Sequence, residues 1–413
     1  MEFWWDLLDG FAQRTALISQ QGAIIHYHEL LNLAERIGGL PGRRCLVLCL
    51  CRNSVESVAG YLGFLRKRIV PILLSENQTT KSLAQMLELY HPAYLYLPTD
   101  CVWSELHGEL VWSGEEYSLY RLDSVEDYTL SAELTLLLTT SGSTGSPKLV
   151  RQSARNIETN TRSIIEYLGI LPEDRAISTL PMNYTYGLSI LNTHLAAGAS
   201  EILTDAGLME KRFWKLMKEQ SPTNFGGVPY TYEMLKKLRF VQMEFPSLRY
   251  LTQAGGRLQP ELVSEFAEIC RQKGMRFFVM YGQTEATARM SWLPWEEIRR
   301  RPGSIGIPIP GGEFSLLDEN GELITEPEQI GELVYRGENV TLGYAQNRFD
   351  LNKSDENCGV LHTGDMARRD SDGFYYIVGR KKRFLKLFGN RVNLDDVEGL
   401  LKQAGFDCAC AGN

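Results

Sequence analysis

The hydrophobic pattern of this chain changes period along its length. Residues 27–40, YHELLNLAERIGGL, carry apolar positions at helical spacing and close on a Gly pair, which predicts a helix with a glycine C-cap. The continuously apolar RCLVLCLC that follows reads as a buried strand. SVESVAGYLGFLRKR returns to the helical period, and IVPILL is a further strand. Strand and helix keep alternating through PAYLYLP, LTLLLTT, NIETNTRSIIEYLGI and AISTLP. That alternation predicts an α/β architecture of parallel sheets covered by helices. Beyond about residue 300 the segments shorten: EFSLLDENGELI, GELVYRG and GFYYIVGR are short strands punctuated by Asn-Gly, Gly-Glu and Asp-Gly turns. Such spacing predicts a small antiparallel barrel or sheet. From Lys381 onward, KKRFLKLFGNRVNLDDVEGLLKQAGF predicts a turn, one strand and one helix, the start of a further unit.

Length and composition narrow this picture. A chain of 413 residues is too long for one ordinary core and predicts two or three subdomains. The net charge of −8, from 43 basic and 51 acidic residues, comes without a basic stripe, so a nucleic-acid partner is not expected. RRRPG and GRKKRF are short and interrupted, and read as solvated turns. The eight cysteines fit no zinc-ribbon spacing, and CLVLCLC treats Cys45, Cys49 and Cys51 as small hydrophobes. Free thiols suit a cytoplasmic setting. MEFWWDLLDGF lacks the basic-then-apolar order of a signal peptide, and no run of 18 apolar residues predicts a membrane span.

Three segments offer chemistry. TTSGSTGSPK (139–148) follows an apolar strand with small hydroxyl and glycine residues and ends on Lys148. Such a loop can turn backbone N–H groups and hydroxyls into one anion-binding concavity, though it departs from the G-x-x-x-x-G-K-[ST] pattern. By itself it is equally a solvated linker. VMYGQTEATARM (279–290) sets Tyr281, Gly282, Gln283, Thr284 and Glu285 at a strand end. An aromatic, a hydroxyl and a carboxylate there could stack a base, bind a phosphate oxygen and ligate Mg2+, or form a polar turn around a core tyrosine. LHTGDMARRDSDGFYYIVGR (361–380) offers Asp365, whose carboxylate suits two ribose hydroxyls, and Arg380, which suits phosphate. Asp365 is equally a turn residue.

In this order the three segments resemble the adenylate-forming superfamily, which includes acyl- and aryl-CoA synthetases, the adenylation domains of peptide synthetases and beetle luciferase. LPMNYTYGLS (180–189), GVPYTYEML (227–235), LTQAGGRL (251–258) and RPGSIGIPIPGGEF (301–314) support the likeness, which covers nearly the whole chain. It implies two flavodoxin-like αβα subdomains plus a small β-barrel over residues 1–380, then a hinge and the start of a mobile α+β lobe over 381–413. It also implies ATP-dependent activation of a carboxylic acid as acyl-AMP, with pyrophosphate release, then transfer to the thiol of coenzyme A or a carrier-protein phosphopantetheine. Carried over, Thr140, Ser141, Gly142, Ser143, Thr144, Gly145 and Lys148 would hold phosphates. Ala254, Gly255, Gly256 and Tyr281 would flank adenine, with Gly282 and Gln283 in the same motif. Thr284 would bind the α-phosphate, Glu285 the Mg2+, Asp365 the ribose, and Arg380 ribose or phosphate. Lys382 would be the hinge, and Lys386, Gly389 and Arg391 would face the site during thiol transfer.

Tyr184, Tyr186, Gly187, Met182, Phe225 and Met280 are the candidate lining of the acid pocket. The resemblance aligns Thr185 near the place where amino-acid-activating members carry an Asp, so a plain carboxylic acid is expected. Two features depart from the family pattern. Lys148 is followed by Leu149 rather than glycine, which is tolerable if the loop has already turned. Family members also continue past the position of Asn413 to a lysine that acts in adenylation, so the alternative reading is a truncated or non-catalytic protein that binds nucleotide or acyl-adenylate.

Overall fold

The computed structural model describes residues 2–101, 107–123, 128–139, 148–381, 384–387, 390–393, 397–398 and 401, with the backbone only for 384–387 and 390–393. Two large mixed sheets carry the fold. One holds eight strands in the spatial order Gly343–Ala345, Leu149–Ser153, Leu134–Thr139, Val70–Ser75, Leu46–Cys51, Tyr94–Pro98, Tyr117–Leu122 and Gly108–Ser113. Its middle is parallel and its margins antiparallel. Every residue of Leu46–Cys51 is buried, as a strand covered on both faces requires. Burial pushes the Cys45 and Cys51 thiols up to about 11 and about 12, so these cysteines pack as apolar groups.

The other large sheet has nine strands. Its parallel centre runs Arg276–Tyr281, Tyr250–Gln253, Asn224–Gly227, Arg175–Ser178, Ser200–Leu203 and Thr15–Ile18. The helices Ala154–Leu168 and Thr185–Ala196 pack on each other beside this sheet. The first opens with Ser153 as N-cap and closes at Gly169 in the left-handed conformation, at φ +63°. The expected helix at 27–40 is observed as Tyr27–Gly39, capped by Leu40 in the right-handed region rather than by a left-handed glycine.

Residues past 311 form a four-stranded antiparallel sheet ordered Gly312–Leu317, Gly331–Gly337, Val360–Arg369 and Tyr375–Arg380. The sheet curls until its two edge strands meet. The Tyr375 hydroxyl donates to the Phe314 carbonyl at 3.2 Å, and the two rings pack at 5.0 Å. Among the described residues beyond Lys381 are two short strands, Phe384–Leu387 and Asn390–Asn393, paired antiparallel, where the sequence pattern predicts one. The apolar FLKL and the polar NRVN differ in hydropathy, and so conceal that the two strands pair. Among the described residues no helix is long and apolar enough to cross a membrane.

Glu201, on Ser200–Leu203, is buried, and its Oε2 has no hydrogen-bond partner. Burial raises its carboxyl from 4.5 to about 8. The folded protein therefore holds a proton that the unfolded chain releases, and stability falls as pH rises from 4.5 to 8. We expect Glu201→Gln to flatten this decline, gaining on the parent by a few kcal/mol at pH 8 and little at pH 5, read by urea unfolding. Parallel stability curves for the two proteins would contradict it.

Candidate active site

The site begins where two antiparallel strands, Leu134–Thr139 and Leu149–Ser153, flank the glycine-rich segment. Thr140, Ser141, Gly142, Ser143, Thr144 and Gly145 lie outside the described residues; Lys148, which closes the segment, is described. Leu149 is already in the strand and buried, paired with Thr139 on one side and Ala345 on the other. No left-handed residue is needed there, which is why leucine is accepted after the lysine. Lys148 Nζ stands 3.9 Å from the centroid of the Tyr344 ring. The Tyr344 hydroxyl donates to Glu285 Oε1 at 2.6 Å. Burial, and then the Glu285 carboxylate, push the Tyr344 phenol well up, so it stays a neutral donor. Lysine and carboxylate are thus joined through one tyrosine that the sequence pattern does not single out.

Tyr344 is held in place by buried polar contacts. Arg151, fully buried, donates to the carbonyls of Leu342 at 2.7 Å, Tyr344 at 3.1 Å and Lys353 at 2.7 Å, and to Glu356 Oε2 at 2.6 Å. These bonds pin the edge strand Gly343–Ala345 against Leu149–Ser153. Upstream, the Thr341 N–H donates to the Glu285 carbonyl at 3.0 Å. The Asn339 side chain donates to the carbonyls of Ala286 at 2.8 Å and Arg289 at 3.0 Å. The Asn339 carbonyl accepts from the Thr287 hydroxyl at 2.7 Å. Residues 339–344 therefore grip both the strand leaving Lys148 and the turn bearing Thr284 and Glu285.

That turn is tight. Thr287 and Ala288 take φ values of +59° and +136°, and a Cβ on Gly282 would lie 1.7 Å from the Ala288 carbonyl oxygen, so only glycine fits at 282. Thr284 is buried at the start of the short helical turn Thr284–Ala286.

Beside it stands a second cluster. Strand register sets Asp365 directly opposite Arg380, and Arg380 Nε lies 2.8 Å from Asp365 Oδ1. The other carboxylate oxygen accepts from the Tyr281 hydroxyl at 2.5 Å and from Gln283 Nε2 at 3.0 Å. Burial, and then the charge of Asp365, push the Tyr281 phenol well up. Asp365 is 3 % exposed, so this is a buried carboxylate held by three named donors rather than a solvated turn residue. Tyr281 meets it through its hydroxyl, and the half-buried ring remains available for stacking.

The third wall is aromatic. Tyr184 and Tyr186 rings lie 6.4 Å apart edge to face, and Met280 Sδ accepts from the Tyr167 hydroxyl at 3.0 Å. Gly255, at φ +78°, lies so close to Tyr184 that a Cβ there would stand 2.3 Å from its hydroxyl. Ala254 is buried beside it, and Gly256 is exposed. Gly187 packs closely on the Pro181 and Leu180 carbonyls, a helix contact. Met182 is buried and accepts from the Ser57 hydroxyl at 3.1 Å. Phe225 is not brought to this wall and packs in the core against Phe213 at 5.6 Å. Its strand neighbour Gly226 faces Tyr186 and Ile190 instead, and side chains alternate along a strand, so Phe225 points the other way. A cleft of about 410 Å3 lined by Gly311, Glu313, Arg336 and Glu338 contains none of these groups. The hinge candidate Lys382 and Gly389 lie outside the described residues; the backbones of Lys386 and Arg391 pair in register, and their side chains are not described.

The parallel sheets and the clustered lysine, carboxylates and aromatics are those of an AMP-binding enzyme fold. The AMP-binding enzyme family model matches residues 5–345, and the chain belongs to that family. It is 34% identical over 271 residues to an oxalate–CoA ligase of Arabidopsis thaliana, a match covering 64% of this chain and 52% of the relative. It is 30% identical over 420 residues to a probable CoA ligase, CCL9, of Humulus lupulus, covering 95% of this chain and 79% of the relative. The match thus spans about half the length of the first relative and most of the second. The fold is shared with the o-succinylbenzoate coenzyme A synthetase of Bacillus subtilis in its complex with ATP and magnesium, at TM-score 0.80, 24% identity and coverage of 99% and 86%. An anthranilate CoA ligase bound to anthranoyl-AMP gives TM-score 0.80 at 22% identity, with coverage of 97% and 81%.

Removing the buried guanidinium strands several carbonyls inside the protein. Arg151→Met is therefore expected to lower unfolding free energy by about 3 kcal/mol or more in urea titration. A loss below about 1 kcal/mol would mean that Arg151 does not anchor the 339–356 segment.

Proposed function

We propose that this chain activates a carboxylic acid with ATP and passes the acyl group to a thiol. A carboxylate oxygen attacks the α-phosphorus, a new O–P bond forms, and the bond to the β-phosphate oxygen breaks to release pyrophosphate. The thiol sulfur then attacks the acyl carbon, forming C–S and expelling AMP as the C–O bond breaks. The observation that carries this reading is the joining of Lys148 to Glu285 through Tyr344, next to the buried Asp365 cradle. Family membership and relatives named as CoA ligases support it.

The first step brings one anion to another, so its main demand is charge neutralisation. Lys148, with the preceding loop, neutralises the β- and γ-phosphates. Asp365 accepts from the ribose hydroxyls, with Gln283 and Tyr281 orienting it and Arg380 beside it. Thr284 faces the α-phosphate. Mg2+ fits a hard carboxylate oxygen such as that of Glu285, and when bound it draws charge from the phosphate oxygens. Tyr184, Tyr186 and Met280 line the acid pocket, and the neutral Thr185 favours a plain acid over an amino acid. Residues 1–380 form the adenylating domain. Lys382 is the hinge for a lobe that brings Lys386 to the site, with coenzyme A or a carrier-protein phosphopantetheine as acceptor. The buried free thiols fit a cytoplasmic setting.

Exchange of labelled pyrophosphate into ATP tests this directly. We expect exchange that depends on an added acid and falls at least tenfold in Lys148→Ala and in Glu285→Ala. Absence of exchange across fatty, aryl and dicarboxylic acids would contradict the proposal, and ATP binding without exchange would favour a binding protein.

A further inference from the structure

Arg289 is a buried cation with no counter-ion among the described residues. It is 3 % exposed, its Nε has no hydrogen-bond partner, and it forms no ion pair among the described residues. Arginine is seldom buried so fully without a partner, because removing its charge from water is costly. Arg151 shows how this chain treats a structural arginine: equally buried, it is met by carbonyls and by Glu356. Arg289 meets neutral tyrosines instead. Its guanidinium carbon lies 4.0 Å from the Tyr186 ring centroid, and its charge opposes the burial that lifts the Tyr167, Tyr184 and Tyr186 phenols.

The backbone is built to hold the residue there. Asn160 donates to its carbonyl at 2.9 Å and accepts from its N–H at 3.3 Å, and Asn339 donates to the same carbonyl. The two residues before it are non-glycine and sit at positive φ, a strain that persists only where its surroundings enforce it. The side chain lies over the ring of Tyr186, on Thr185–Ala196, and bonds to the side chain of Tyr167, on Ala154–Leu168, at the proposed acid-pocket wall. The nucleotide-facing groups gather elsewhere, at Tyr344 and Asp365. An acid whose activated carboxylate faces those groups would extend its far end toward Arg289.

We propose that Arg289 recognises a second anionic group on the substrate, so that the acid is a dicarboxylate or a similarly dianionic organic acid; this rests on the acid-activating reading above. The second carboxylate supplies the missing counter-ion and accepts from the unpartnered Nε. A neutral hydrocarbon end would leave the guanidinium buried without an anion, and an ammonium would be repelled.

Calorimetric titration of the whole chain with glutarate, adipate and phthalate, each against pentanoate, hexanoate and benzoate, reads the proposal without turnover. At least one dicarboxylate should bind tenfold or more tighter than its monocarboxylate counterpart. Arg289→Gln should abolish that preference, and Arg289→Lys should retain part of it, while ATP binding stays at the parent value and reports the fold. In pyrophosphate exchange, Arg289→Gln should raise KM for the dicarboxylate with little change in kcat. Equal binding of both acid classes by the parent overturns the proposal, as does an unchanged preference in Arg289→Gln. Exchange with monocarboxylates alone overturns it and leaves acid activation standing. A dicarboxylate preference in binding without any exchange does the reverse.

Discussion

The short segment from Asn339 to Tyr344 is the constraint on which the site depends. It lies between two stretches of chain well over a hundred residues apart, around Arg151 and around Glu285, and bonds to both. On one side Arg151 carries the contact, buried and saturated by carbonyl oxygens and Glu356. On the other, Asn339 and Thr341 fix the backbone of the Glu285 turn. A buried polar network of this kind is stabilising only when its members are satisfied, and the guanidinium that anchors it is. Tyr344 then has one place to stand, with Lys148 over its ring and Glu285 on its hydroxyl.

From this follows a division of the site into walls of different chemistry. Asp365 and Arg380, on the curled antiparallel sheet, form a polar corner with Tyr281 and Gln283 from a strand end of the nine-stranded sheet. Lys148, Tyr344 and Glu285 bridge that corner to the eight-stranded sheet. The tyrosines on the two packed helices make a dry wall on the nine-stranded sheet, interrupted by the charge of Arg289. All three sheets thus contribute side chains to the one cluster.

Much of this is legible in the sequence. The switch between strand and helix periods predicts the parallel sheets, and the turn-rich region beyond 300 predicts the antiparallel one. Asp365, Glu285 and Lys148 stand out because charged residues follow apolar strands at glycine turns. What escapes is long-range pairing. Nothing in NVTLGYA announces that it is an edge strand beside Leu149–Ser153, so Tyr344 and Asn339 read as ordinary residues. Arg151, inside a strand, gives no sign that it is buried rather than solvated. Phe225 is misassigned to the pocket because the phase of strand alternation cannot be read without a neighbour; Gly226 supplies it. Arg289 hides in plain view, since an arginine in a polar turn is expected to reach water.

The most direct test is a crystal structure of the protein with ATP and magnesium. We expect the ribose hydroxyls on Asp365 and the triphosphate between Lys148 and Glu285, above Tyr344, with residues 339–344 unmoved. A nucleotide bound away from Asp365, or phosphates that touch neither Lys148 nor the Glu285 side, would contradict it.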